Sequence, residues 1–204
     1  NPGWDWASVL PVFKELETYE AGGDAYRGAA GPLSVSRADR NAHPLCAAYF
    51  QAAKEVGLPF NPDFNAADQE GVGFYQVTTK NGRRHSAAKA FLRPAMGRKN
   101  LTVITGALTT RIDFDGTRAV GVTYRKNGTD CTLRARRSVI LSAGAINSPQ
   151  LLQLSGVGPA ELLRKHGITP VLDQPHVGAN LMDHIGINYT YRATIPTLNT
   201  ILRP

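Results

Sequence analysis

The part of this sequence best suited to bind a ligand is a glycine turn between an apolar run and a helical pattern. Residues 139–141 are Val-Ile-Leu, residues 142–144 are Ser-Ala-Gly, and a helical pattern follows from Ser148. A buried strand, a glycine turn and a helix N-terminus together form the geometry that receives a nucleotide in parallel α/β sheets. Many α/β proteins contain such a corner for structural reasons alone, so the geometry by itself leaves both interpretations open.

Other arrangements that could catalyse a reaction or bind a metal are incomplete in the sequence. Residues 71–73 and 156–158 both read Gly-Val-Gly, but neither is followed by the third glycine of a dinucleotide fingerprint. The histidines lack the spacing of a zinc-protease helix, and the loop that begins at Asp63 lacks the turn glycine and final glutamate of a calcium loop. Cys46 and Cys131 are the only cysteines, which excludes a disulfide scaffold.

Hydrophobic periodicity predicts the helices that would position this turn. A spacing of three to four residues predicts helices over residues 4–20, 44–57 and 159–166. A further helix is predicted to begin with Ser148 as its N-cap and Pro149 as its first residue.

The strongest β pattern lies between residues 101 and 136. Period-2 alternation, with two-residue turn signals at 115–116 and 127–128, predicts three antiparallel strands, a β-meander with one solvated face. The continuous apolar run at 139–141 predicts a strand buried on both faces. Alternation over residues 187–195 predicts a half-exposed strand near the end of the chain.

The net charge of +7 is concentrated in one block. Residues 71–137 contain 14 basic and 3 acidic side chains, whereas residues 1–70 contain 5 basic and 10 acidic ones. The basic side chains of the meander fall largely on its solvated face, so a solvated sheet face accounts for them without nucleic acid. A stand-alone basic module that binds a polyanion is the alternative interpretation.

The sequence around the glycine turn resembles a known enzyme family. Residues 144–158, Gly-Ala-Ile-Asn-Ser-Pro-Gln-Leu-Leu-Gln-Leu-Ser-Gly-Val-Gly, resemble the second signature of the glucose–methanol–choline (GMC) oxidoreductases at every constrained position. The Trp-rich residues 3–14, the run at 84–103 and the segment at 177–184 are similar to family motifs in the same order. The resemblance extends over the whole chain and points to the choline dehydrogenase-like and alcohol dehydrogenase-like members.

This resemblance implies a mixed α/β chain that is shared between two domains. Residues 96–185 would form part of an FAD-binding, Rossmann-like domain with the meander, a core strand and helices. Residues 1–95 would lie mainly on the side of the substrate domain, with linking segments. Residues 186–204 would begin the antiparallel sheet of that substrate domain.

The resemblance also implies the chemistry and the cofactor-binding residues. GMC enzymes oxidise an alcohol to an aldehyde or ketone by hydride transfer to FAD, and the reduced flavin passes electrons to dioxygen or another acceptor. Val103 matches the position whose backbone contacts the adenine, and Ser142, Ala143 and Gly144 match the strand end beside the adenosine. We expect no metal, no nucleic acid partner and no transmembrane segment.

No catalytic residue is assigned within the chain. The glycine fingerprint of the family would precede Asn1, and its catalytic histidine would follow Pro204; His184 matches a structural corner instead. We therefore expect a central fragment that is inactive and retains no flavin by itself, or alternatively part of an inactive family scaffold. The sequence leaves open which alcohol is oxidised, whether the enzyme is an oxidase or a dehydrogenase, and what its oligomeric state is. It also leaves the cellular compartment open, and the cytoplasm is the default expectation.

Overall fold

The chain divides into two units, and the computed structural model describes residues 2–201. One unit comprises Asn1–Thr102 together with Arg192–Pro204, and the other comprises Val103–Tyr191. Helices and small sheets occur in both units, so the prediction of a mixed α/β fold is confirmed.

The first unit begins with an amphipathic helix and a two-stranded parallel sheet. Helix α1 (Trp6–Leu16) is capped by Asp5, whose carboxylate accepts a hydrogen bond from the Ser8 amide at 3.1 Å. Strand β1 (Glu17–Tyr19) then pairs with β2 (Leu33–Val35). The predicted helix over residues 4–20 therefore ends earlier, because the backbone of its last turn bonds to β2 instead.

The rest of the first unit consists of short elements. Helix α2 (Leu45–Glu55) agrees with the predicted second helix, and Gly57 follows it with a left-handed φ of +86°. Strands β3 (Thr79–Lys80) and β4 (Arg83–Arg84) form a hairpin, and helix α3 (Arg93–Ala95) follows.

A buried cation stabilises the first unit. The Arg27 guanidinium bonds to the carboxylates of Glu17 at 3.1 Å and Asp63 at 2.8 Å, and it lies over the ring of Tyr19. Burial opposes the charge of Arg27, but the hydrogen bond to Asp63 and the nearby carboxylates raise its pKa above the ordinary value. This cluster joins β1 to the loop that contains Asp63.

The second unit contains the predicted meander. Strands β5 (Leu108–Asp115), β6 (Arg118–Lys126) and β7 (Thr129–Arg134) form an antiparallel sheet in that order. Asn127 and Gly128 both have positive φ, as a two-residue hairpin turn requires. The first strand begins at Leu108 rather than near 101, and residues 101–105 form no strand.

Two helices and a small parallel sheet follow the meander. Helix α4 (Gly144–Leu154) precedes β8 (Val157–Gly158), helix α5 (Ala160–Lys165) and β9 (Leu172–Asp173), and β8 pairs with β9. The core of the unit includes Ile112 on β5, Leu151 on α4 and Leu163 on α5. The short helix α6 (Leu198–Ile201) belongs to the first unit.

Two predicted strands are wrong for one common reason. Residues 139–141 and 187–195 form no strand in the structure, and Ile140 is 86% exposed. A strand needs neighbouring strands to pair its backbone N–H and C=O groups. Within residues 2–201 no strand pairs with either segment.

Candidate functional site

Three of the predicted cofactor residues lie at the start of helix α4. Ser142 and Ala143 end an exposed loop, and Gly144 is the first residue of the helix. The helix therefore begins five residues before Pro149, its predicted first residue, and the Ser148 hydroxyl accepts a hydrogen bond from the Ala143 amide at 3.1 Å, which ties the loop to the helix. Ser148 is thus inside the helix and is not its N-cap.

The helix start has the properties of an anion-binding site. No side chain caps the first turn, so its backbone N–H groups remain available. The partial positive charge of an N-terminus favours an anion such as a phosphate. Such a helix start can accept the phosphate of a nucleotide.

Gly144 leaves room for a ligand beside this helix start. Its φ is +88°, a conformation that favours glycine, and a Cβ atom built there would meet no atom within 4 Å. The neighbouring Ile146 is 70% exposed, which provides apolar surface next to the free N–H groups. The residues present therefore fit an adenosine diphosphate group, which combines an apolar base with an anionic diphosphate.

Val103 lies in the same unit, on the irregular segment that leads into β5. Its side chain is 45% exposed, and the backbone from 103 to 105 forms no strand, so its amide and carbonyl groups are free of sheet pairing. The predicted site residues thus form two groups. Ser142, Ala143 and Gly144 are contiguous before α4, whereas Val103 precedes the meander.

One buried serine joins helix α4, which follows residues 142–144, to strand β5, which follows Val103. Ser155 ends helix α4, and its hydroxyl accepts from the Ile112 amide on β5 at 2.8 Å and donates to the Leu151 carbonyl at 2.6 Å. Sequence reasoning missed this residue. The available signal was a serine directly before the helix-ending Gly156, inside the family-like motif.

A second segment is attached to α4 by a glutamine. The Gln153 side chain donates to the Val177 carbonyl at 2.9 Å, and residues 178–182 line an open cavity together with one face of the helix. His184 is exposed and its amide bonds to the Asp183 carboxylate next to it. This contact joins two adjacent residues, and the structural role of His184 stays a prediction.

The basic face of the meander is partly neutralised by its own acidic residues. Arg111 pairs with Asp113 at 3.0 Å, and Arg125 pairs with Asp130 at 2.7 Å. The hydrogen bond from Arg125 lowers the pKa of the Asp130 carboxyl below its ordinary value, so that carboxyl stays charged. These pairs reduce the positive charge that the face offers to a polyanion.

The part of the chain that the structure describes offers neither a metal site nor a membrane-spanning helix. Residues 2–201 contain no group of three or more His, Cys, Asp or Glu side chains arranged to hold a metal ion. None of the helices described is both long and apolar enough to cross a membrane.

The first unit contains an aromatic cluster. The rings of Phe60 and Phe74 both pack edge-on against Phe50, with centroids 5.3 Å and 4.9 Å away. Beside it, a small cavity is lined by these two outer rings, Tyr75 and the Arg37–Asp39 ion pair. The cluster accounts for the packing of α2 against the following loop.

Comparison with known proteins identifies relatives of the whole chain. Residues 1–186 match the sequence model of a family described as GMC oxidoreductase. The chain is 48% identical over 203 residues to human mitochondrial choline dehydrogenase and 45% identical over 194 residues to the oxygen-dependent choline dehydrogenase of Brucella anthropi. These alignments cover 99% and 95% of the chain, but 34% and 35% of the relatives. The chain therefore spans about a third of their length.

Solved structures share the fold. An FAD-dependent oxidoreductase from Chaetomium thermophilum superimposes with a TM-score of 0.80 at 31% identity, covering 86% of this chain and 33% of that one. Pyridoxine 4-oxidase from Mesorbium loti superimposes with a TM-score of 0.77 at 32% identity, covering 86% and 34%. The Chaetomium protein is described as FAD-dependent, and the description of a formate oxidase from Aspergillus oryzae, which superimposes with a TM-score of 0.77 at 29% identity and covers 89% of this chain and 33% of that one, names a modification of its FAD. Together with the family match, these neighbours confirm FAD as the predicted cofactor.

Proposed function

The chain belongs to the GMC oxidoreductase family, and on that premise we propose that it is part of an FAD-dependent enzyme that oxidises an alcohol to an aldehyde or ketone. The observation that supports this most strongly is the 48% identity to human choline dehydrogenase, which extends over 99% of the chain. Choline is therefore the first alcohol to test.

Within that enzyme, we propose that this chain binds the adenosine end of FAD. The bound flavin would supply the hydride acceptor. The backbone at Val103 would hold the adenine, and residues 142–144 would hold the adjoining part of the cofactor against the start of α4. The free N–H groups of that helix and the open space beside Gly144 support this assignment.

We further propose that the groups that act on the alcohol lie in parts of the parent protein outside this chain. The chain spans about a third of the length of its choline dehydrogenase relatives, which leaves most of such an enzyme to supply them. The chain would then act as a cofactor-binding and connecting part, inactive when isolated.

The full-length protein that contains this chain provides the test. We expect it to be purified with a visible flavin spectrum, and we expect the flavin to be bleached under anaerobic conditions by choline or by another alcohol from a panel. Reoxidation by dioxygen, or only by an artificial acceptor, would separate an oxidase from a dehydrogenase. A flavin that no alcohol in the panel reduces would contradict the proposal and favour an inactive family scaffold.

A further inference from the structure

Strand β5 is an edge strand of the meander, and one of its outward N–H groups is bonded to helix α4. In the sheet order β5-β6-β7, β5 has a neighbour on one side only. Ile112 lies opposite Val122 of β6, yet its N–H donates to the Ser155 hydroxyl at 2.8 Å. Ile112 is 4% exposed, so water cannot easily replace this acceptor. The serine therefore satisfies a buried donor at an open sheet edge.

A β-bulge on β5 lies directly before the residue that makes this bond. The register between β5 and β6 shifts between Thr109 and Arg111, a β-bulge that leaves Thr110 as the extra residue on the strand. The Ser155 hydroxyl also donates to the Leu151 carbonyl within α4. Donor and acceptor capacities of the hydroxyl are thus both used, which fixes its direction.

The same serine is followed by a close contact between backbones. Gly156 has a φ of +90°, and a Cβ atom there would lie 2.8 Å from both the Thr169 carbonyl oxygen and a methyl carbon of Val171. The Gly156 carbonyl accepts from the Val171 amide at 2.7 Å. The C-terminal end of α4 is therefore held on two sides, by β5 and by the segment that leads into β9.

Fixing this end of α4 also fixes its beginning. Residues 142–144 lie at the other end of this eleven-residue helix, so its orientation against β5 influences where they lie. Val103 precedes the same strand β5 on the chain. We propose that Ser155 is a positioning residue that holds the two halves of the adenosine site, at Val103 and at 142–144, in their relative places. This inference rests on the proposed binding of FAD to those residues.

A matched pair of variants tests the hydroxyl separately from the shape of the side chain. The two variants are Ser155→Thr and Ser155→Val. The threonine and valine side chains have nearly the same size and shape, but only threonine retains the hydroxyl. In the full-length protein stripped of flavin and titrated with FAD, we expect the dissociation constant of the valine variant to exceed that of the threonine variant about five-fold or more. We expect the affinity for ADP, measured by competition, to fall by a similar factor, because the lost contacts lie at the adenosine end.

A second variant separates positioning from general loss of stability. Leu163 is 2% exposed in the same unit, and its apolar side chain makes no hydrogen bond. Leu163→Val therefore destabilises the core without removing the hydrogen bonds of Ser155. We expect it to lower the melting temperature and to leave the FAD affinity of the folded protein unchanged.

Three results would overturn the proposal. The first is that the threonine and valine variants bind FAD equally well. The second is that the ADP affinity does not change when the FAD affinity falls. The third is that Leu163→Val loses as much FAD affinity as Ser155→Val. A wild-type protein that binds no FAD would be recognised before any variant is made. That result would overturn the proposed function, and the role of Ser155 with it.

Discussion

At the scale of single residues, the structure depends on a few buried polar groups that are fully paired. Among the side chains whose burial the structure describes, Arg27, Asn61 and Ser155 are the buried polar ones. Asn61 donates to the Asp68 and Glu70 carbonyls and accepts from the Asp63 amide, which closes its loop. No buried side-chain nitrogen or oxygen in that part of the chain lacks a partner. Removing one partner therefore leaves the other unsatisfied, which costs more than the bond is worth.

The first prediction concerns the buried ion cluster. Arg27→Ala leaves the carboxylates of Glu17 and Asp63 without their cation, and their side chains are only 14% and 13% exposed. We expect the free energy of unfolding, measured by urea titration of the full-length protein, to fall by about 3–5 kcal/mol. The matched control is Arg37→Ala, because the side chain of Arg37 in its ion pair is 51% exposed, and there the expected loss is below about 1 kcal/mol. Equal losses in the two variants would contradict this view of the cluster.

At the scale of elements, the helix that carries the family-like motif acts as the connector of the second unit. Its beginning offers free N–H groups, its centre buries Leu151, and its end bonds to β5 through Ser155. Pro149 lies inside it and has no N–H to donate, so α4 gives up one backbone bond near its first turns. Separately, the Ser148 hydroxyl accepts a hydrogen bond from the Ala143 amide, which ties the preceding loop to the helix.

The second prediction concerns the glycine at the start of this helix. Gly144→Ala places a Cβ on a residue with a φ of +88°, so we expect a loss of about 1–2 kcal/mol in unfolding free energy. Because the added methyl group also enters the proposed adenosine site, we expect weaker FAD binding in the full-length protein. Gly186→Ala is the control in the same unit, since Gly186 has no positive φ and open space around it. If both variants bind FAD equally well, the assignment of Gly144 to the site is wrong.

At the scale of the whole molecule, each unit leaves much apolar surface uncovered. In the second unit the side chains of Ile140, Met182 and Ile185 are 86%, 88% and 96% exposed, and in the first unit Trp4 is 79% exposed. Exposed apolar area of this kind marks surfaces that other parts of a protein cover. The threefold greater length of the choline dehydrogenase relatives is consistent with such coverage.

The third prediction is that the 204-residue chain alone does not retain flavin. Micromolar binding requires about −8 kcal/mol. A helix N-terminus contributes about 0.3–1 kcal/mol, and each of two or three backbone hydrogen bonds about 0.5–1.5 kcal/mol. These contributions remain several kcal/mol short, so we expect the purified chain to be colourless, whereas the full-length protein is yellow. A stoichiometric flavin spectrum from the chain alone would contradict this prediction.

Local patterns in the sequence determined the elements whose partners are near in the chain. The meander was predictable because its strands are joined by two-residue turns, so that alternation and turn residues such as Asn127 and Gly128 specify the pairing. Helix α5 and the end of α2 were predictable for the same reason, since Gly167 and Gly57 terminate them locally. The family-like motif also indicated FAD, because its residues are contiguous.

Only the tertiary structure decided what depends on distant residues. The apolar run at 139–141 and the alternating run at 187–195 have strand-like sequences, but a strand exists only where a partner accepts its hydrogen bonds, and none does within residues 2–201. The bond between Ser155 and Ile112 likewise joins residues 43 positions apart in the chain, which periodicity does not encode. The sequence thus determined the family, the meander and the cofactor. The three-dimensional packing determined which residue bonds α4 to the meander, because a buried donor bonds to whichever acceptor the fold brings to it.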